Sequence, residues 1–92
     1  MTDTSERHLQ IVNVKGLHAR ASAKLVEVVE GFDAQAEVCR DGMSASGDSI
    51  MGLLMLAASK GTTIEVRTSG ADAEALATAI EALVADRFGE DM

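Results

Sequence analysis

Apolar residues fall along this chain in two alternating rhythms, and the switches between them mark out its elements. Between His8 and Val14, Leu9, Ile11, Val12 and Val14 crowd together before Lys15-Gly16, which predicts a strand closed by a turn. From Ala19 to Gly31 the period lengthens: Ser22, Leu25, Val26, Val29 and then Phe32 recur at helical spacing, while Lys24, Glu27 and Glu30 fall on another face. Gly31 is the expected stop. Ala34, Ala36 and Val38 then alternate with Gln35, Glu37 and Cys39, the pattern of a strand with one buried face. Asp41-Gly42 predicts a tight hairpin, with Met43 and Ala45 on a short returning strand. Ser49 to Ser59 reads as a second helix, Ile64 and Val66 as the inward positions of a last strand, and Ala73 through Phe88 as a third helix. In that third helix Leu76, Ala77, Ile80, Leu83, Val84 and Phe88 keep i, i+3, i+4, i+7 spacing.

Strand, helix, strand, strand, helix, strand, helix is an α+β order. Strands with one polar face each place the helices on one side of an antiparallel sheet. The expected architecture is an open-faced β-sandwich, βαββαβα, with a four-stranded antiparallel sheet and three helices on one face. No linker, low-complexity tract or internal repeat divides residues 1–92, so a single domain is expected. The second helix stands apart. Ile50, Met51, Leu53, Leu54, Met55, Leu56, Ala57 and Ala58 wrap nearly all of its sides, so one sheet cannot cover them and something else must.

Composition removes several functional classes. A chain of 92 residues buries only about 60–65% of its unfolded surface, which is poor material for deep clefts and lids. Its 15 acidic and 8 basic residues give a formal charge of −7, which argues against nucleic acid and anionic membranes as partners and favours protein surfaces. Cys39 is alone, and no CxxC or Cys/His cluster is present to hold a metal, so a reduced, cytoplasmic setting is expected. The stretch Met1 to Arg7 is polar and acidic, unlike a signal peptide, and no apolar run reaches membrane-spanning length.

The chemistry concentrates in Gly16-Leu17-His18-Ala19-Arg20. A glycine-led turn sets a histidine and an arginine at the start of a helix, where free backbone N–H groups and the helix dipole stabilise an anion. Imidazole, with an ordinary pKa of about 6.5, is a nucleophile near neutral pH, and phosphorylating one ring nitrogen gives a labile phosphoramidate. On these residues alone, a plain capping histidine is the competing reading.

With this motif after the first strand of a βαββαβα order, the chain resembles the histidine-containing phosphocarriers, the HPr-like proteins of the bacterial phosphotransferase system. A second landmark strengthens the resemblance: Ser49-Ile50-Met51-Gly52-Leu53-Leu54-Met55-Leu56, a serine capping the second helix ahead of an apolar run. The resemblance implies that His18 accepts a phosphoryl group from phospho-enzyme I through Nδ1 and passes it to a downstream enzyme II-type acceptor protein, without a cofactor. Arg20 and the backbone N–H groups of Ala19 to Ser22 would stabilise the phosphoryl charge. The family commonly has proline after the arginine, where this chain has Ala21, a departure that bears on the rigidity of the first turn. Ser49 is expected as an N-cap and, as in many relatives, as a target of regulatory phosphorylation by a serine kinase, reversed by a phosphorylase. Leu17, Ala21, Ile50, Met51, Leu54 and Met55 form the expected docking surface, and the protein is expected to be a monomer. Glu27, Glu30, Gly31-Phe32-Asp33-Ala34, Leu53 to Leu56 and the acidic Gly89 to Met92 tail lean toward the nitrogen-related branch rather than the carbohydrate branch.

Two competitors come from other classes. A small α+β regulatory or ligand-binding module would leave Gly16 to Arg20 an incidental turn. A hydrolase using His18 with Ser22 or Asp48 fails on size and on the lack of a nucleophile, base and orienting group.

Overall fold

The computed structural model describes residues 3–92, so Met1 and Thr2, at the head of the polar Met1 to Arg7 stretch, lie outside the described residues. Strand β1 covers Thr4–Gln10, earlier in the chain than the expected His8 to Val14. The inward parity explains the difference. Leu9, Ile11 and Asn13 are buried, while Val12 and Val14 are exposed. Ahead of them the inward-facing Ser5 and Arg7 are polar because they meet charge on the third helix: Arg7 Nη2 lies 2.8 Å from Glu74 and Nε 3.5 Å from Glu81. An edge strand closed by ion pairs carries no apolar signature.

Helix α1 spans Ala19–Glu30 and buries Ala21, Ser22, Leu25, Val26 and Val29; Gly31 caps it, its N–H donating to the Val28 carbonyl while Phe32 N–H donates to that of Val29. Strands β2 (Gln35–Arg40) and β3 (Met43–Ser46) form the expected hairpin. Asp41 and Gly42 between them both have positive φ (49° and 81°), as a two-residue turn matched to strand twist requires. Helix α2 is short, Ile50–Met55, rather than reaching Ser59. Ala57 turns left-handed at φ 51°, and Leu56 and Ala58 are buried. The segment after α2 thus leaves the helix to seat two apolar side chains and to offer the Ala58 carbonyl to Leu17 N–H at 2.9 Å.

Strand β4 spans Thr63–Ser69 and α3 spans Ala73–Ala85. The third helix was expected to run through Phe88. Instead Arg87 and Phe88 are left-handed (φ 56° and 55°), and the reversal tucks Phe88 fully into the core beneath a last single turn, Arg87–Gly89.

The sheet order is β1-β4-β2-β3, antiparallel throughout, with Leu9 opposite Ile64 and Val38 opposite both Val66 and Ala45. With α1, α2 and α3 it forms the expected open-faced sandwich. Ile11, Leu25, Leu53, Ile64, Leu76, Ile80 and Phe88 are fully buried between the layers, each contributing about 1.5–3 kcal/mol of burial free energy. The other sheet face is open and polar, carrying Glu6, His8, Glu65, Arg67, Glu37 and Cys39. Burial pushes the Cys39 thiol pKa up. No described helix is long and apolar enough to cross a membrane.

Candidate functional site

The site is assembled from three separate stretches of chain: the loop after β1, the start of α1 and the tail after α3. Gly16 makes the loop possible. Its φ is +65°, and a Cβ there would lie 2.5 Å from the Ala58 carbonyl oxygen and 2.9 Å from Ser59 Cα. Only glycine meets both conditions. The next residue, Leu17, is buried and bonded to Ala58, so the turn is tied to the chain leaving α2 and His18 follows as the N-cap of α1.

His18 has extended backbone (φ −77°, ψ −177°), and its carbonyl accepts the first helical bond, from Ser22 N–H at 2.8 Å. The N–H groups of Ala19, Arg20 and Ala21 therefore have no intrahelical acceptor and point out of the helix start. Ser22 was expected among the anion donors. Its N–H is spent on His18, its hydroxyl donates to the Leu17 carbonyl at 3.3 Å, and it is fully buried, so it leaves the donor set.

The imidazole side chain is 27% exposed. Its Nε2 contacts a carboxylate oxygen of Glu90, on the tail. The other Glu90 oxygen accepts from Asn13 Nδ2 at 3.0 Å. These bonds, the one to His18 first and that from Asn13 second, hold the Glu90 carboxyl below the usual carboxylate range. With Nε2 facing an anion, the ring proton belongs there and the lone pair falls on Nδ1. Arg20 is exposed and, among the described residues, has no ion-pair partner, which leaves its guanidinium available to a ligand. His18, Arg20, Lys15 and Lys24 line a shallow cleft with Val14 and the tail from Gly89 to Met92. Lys15, Arg20 and Lys24 share the cleft with the Glu90 and Asp91 carboxylates, so charges of both signs surround the histidine.

Ser49 is where the sequence placed it. Its Oγ accepts from Gly52 N–H at 3.0 Å as the N-cap of α2. The expected docking set divides on burial. Ile50, Met51 and Met55 are exposed (40%, 69% and 73%) and Leu54 is half-buried. Leu17 and Ala21, at 4% and 0%, belong to the core and cannot offer side chains to a partner, because one holds the turn against α2 and the other faces inward from the first turn of α1. Val14, expected at the end of the first strand, lies beyond it, 57% exposed and lining the cleft with His18.

Neither partner of the hydrolase reading reaches His18. Ser22 is buried, and Asp48 accepts from Ser46 Oγ at 2.5 Å in the turn before α2. His8, the second histidine, pairs with Glu6 at 3.0 Å on the open face. Glu6, His8 and Glu65 bring donor atoms within 4.8 Å of one another, as a metal site would, but the Arg67 guanidinium already pairs with both carboxylates. Sequence reasoning missed Asn13 and Glu90. Asn13 carried a signal, a polar residue at the inward parity of an apolar alternation. Glu90 carried none, since its role depends on the reversal at Phe88.

A partly exposed histidine with an arginine that has no ion-pair partner among the described residues beside it, and a carboxylate on its far ring nitrogen, suits a carrier that other proteins load and unload. Residues 5–86 match the family described as the PTS HPr component phosphorylation site. The chain is similar to phosphocarrier protein HPr of Cupriavidus necator, 45% identical over 85 residues that cover 92% of this chain and 96% of that one. It is similarly close to phosphocarrier protein NPr of Shewanella violacea, 44% identical over 85 residues, 92% of this chain and 93% of that one. Among solved structures it resembles HPr-C-His from Thermoanaerobacter tengcongensis, with a TM-score of 0.91 at 33% identity over 96% of this chain and 99% of that one. This chain belongs to the PTS HPr family, whose members are phosphocarriers rather than enzymes.

Proposed function

We propose that this phosphocarrier takes a phosphoryl group from phospho-enzyme I onto His18 Nδ1 and delivers it to a downstream enzyme II-type acceptor. The observation that carries this reading is the division of labour on the ring of a histidine that lines the cleft: Glu90 occupies Nε2, so the lone pair is on Nδ1. The incoming phosphoryl group would meet the free N–H groups of the α1 N-terminus and the Arg20 guanidinium, a planar donor suited to phosphate oxygens. Charge developing on the transferred group is then stabilised by donors that need no rearrangement.

Two proteins must reach the same nitrogen in turn, and the exposed Ile50, Met51 and Met55 of α2 supply the adjoining contact. Methionine side chains adapt to different partners at little cost. Ser49 sits at the edge of this surface. Phosphorylation there would be favoured by the helix N-terminus and would set a dianion beside the docking residues, so it serves as a brake on transfer, under a serine kinase and a phosphorylase. Glu27 and Glu30 are exposed on α1, and with the acidic tail they favour the nitrogen-related branch. The carrier works as a cytoplasmic monomer. The test is direct: incubated with phosphoenolpyruvate and enzyme I, the protein should gain the mass of one phosphate, labile to acid and stable to base. A ligand-binding module that transfers nothing would gain none.

A further inference from the structure

We propose that Asn13 and Glu90 are positioning residues for His18: Asn13 fixes the Glu90 carboxylate, and the carboxylate keeps the ring proton on Nε2 throughout the carrier cycle. The inference rests on the phosphocarrier reading and adds to it a pair of residues outside the Gly16 to Arg20 motif. Asn13 is fully buried. Its Nδ2 donates to the Gly16 carbonyl at 2.8 Å and to Glu90 Oε1 at 3.0 Å. Both neighbours are acceptors, so the amide can face them only through its NH2 group, and its orientation is determined. A single buried side chain thereby joins the loop that delivers His18 to the tail that delivers Glu90.

The tail is held in two further places. Phe88 is sunk in the core, and its carbonyl accepts from Lys24 Nζ, on α1, at 2.6 Å. Glu90 is therefore delivered by an anchored segment, with its side chain only 16% exposed.

The consequence for the chemistry is a cycle in which no proton moves. On loading, the Nδ1 lone pair forms the N–P bond while the bond between phosphorus and the phosphorylated donor protein breaks, its electron pair staying with the donor. The ring becomes a cation, still protonated at Nε2 against the carboxylate. On unloading, the N–P pair returns to Nδ1 and a neutral imidazole is left, its proton where it began. A ring protonated on Nδ1 has no lone pair there and must first exchange its proton with water.

The experiment uses the 92-residue chain and two substitutions at one position, Glu90→Ala and Glu90→Gln. Two readouts are combined: ring 15N NMR of unloaded His18, and the rate of loading at varied phospho-enzyme I. In the unsubstituted protein the ring should show the Nε2–H tautomer alone. Glu90→Ala should give a mixture with Nδ1–H and lower the maximal loading rate about tenfold, leaving KM unchanged. Glu90→Gln keeps an acceptor oxygen without the charge, so it should keep the tautomer and lose less rate. Asn13→Ala, where it folds, should reproduce the mixed tautomer. A Glu90→Ala protein with the original tautomer and rate overturns the proposal. So does a loss carried by KM or one with no change of tautomer, either of which makes Glu90 a docking residue. Failure of the unsubstituted protein to load at all would instead overturn the phosphocarrier reading on which this one rests.

Discussion

Gly16→Ala tests whether the turn before His18 is set by backbone conformation alone or also by what lies against it. Alanine at φ +65° costs about 1–2 kcal/mol wherever it occurs. At Gly16 the new Cβ would also stand 2.5 Å from the Ala58 carbonyl oxygen and 2.9 Å from Ser59 Cα, backbone atoms that no rotamer change can move aside. The loop must retreat, and the bond from Leu17 N–H to the Ala58 carbonyl lengthens or breaks, at a further cost of about 0.5–1.5 kcal/mol, with strain on the buried Leu17 added. The sum is about 2–4 kcal/mol. Gly42→Ala is the matched control, since Gly42 has φ +81° and nothing within 4 Å of a Cβ, so it should lose the conformational part alone. For a domain of this size 1 kcal/mol moves Tm by about 4–8 °C. The two variants differ by about 1–2 kcal/mol, so their thermal melts should differ by about 4–16 °C, Gly16→Ala being the lower. Melts within about 2 °C of each other would refute the contact with Ala58 and Ser59 as a determinant of the turn.

Three further outcomes follow from the site. Arg20→Ala should slow phosphoryl transfer about tenfold or more with its thermal melt unchanged, because the guanidinium is exposed and acts on phosphoryl charge. Lysine there should restore only part of the rate, and a variant that transfers normally but melts early would make Arg20 structural. Met51→Glu should raise KM for the carrier with enzyme I and spare the fold, whereas Ile80→Glu should abolish folding by burying a charge at a fully enclosed position; equal damage to stability would mean α2 is not the docking face. Ser49→Ala should cost about 1 kcal/mol through the lost cap on α2, while Ser49→Asp should keep a cap and slow transfer. A chemical-denaturation series with transfer kinetics on both separates the two effects, and a Ser49→Asp protein that transfers at the original rate would remove the proposed brake.

Periodicity was enough to read most of the fold, because six of the elements bury one face and leave the other in water. The hairpin at Asp41-Gly42 was legible for a different reason, since its two positive φ values select those residues locally. The misplacements have a common physical origin in side chains that satisfy a buried position without being apolar, or are apolar without being buried. β1 starts in polar residues because Arg7 faces Glu74 and Glu81, and its apparent continuation through Val12 and Val14 is an exposed face with Asn13 turned inward. α2 and α3 end early because Ala57 and, after α3, Arg87 and Phe88 adopt left-handed backbone, which no composition rule demands of these residue types. At the site, His18 and Arg20 were readable from the turn and helix start. Glu90 was not, because it lies 72 residues from His18 in sequence and approaches it only through the chain reversal at Arg87 and Phe88.

One nitrogen of one histidine is proposed to carry the phosphoryl group. The most direct measurement compares the protein with its His18→Ala variant, incubated with phosphoenolpyruvate and enzyme I, by intact mass beside a thermal melt. Expected are one acid-labile phosphate on the unsubstituted protein, none on His18→Ala, and a His18→Ala melt that stays cooperative and is lowered only by loss of the contact with Glu90, since the His18 side chain caps no helix N–H. Phosphate gained undiminished by a folded His18→Ala protein would rule out His18 as the acceptor and shift that role to His8, which pairs with Glu6 on the open face of the sheet.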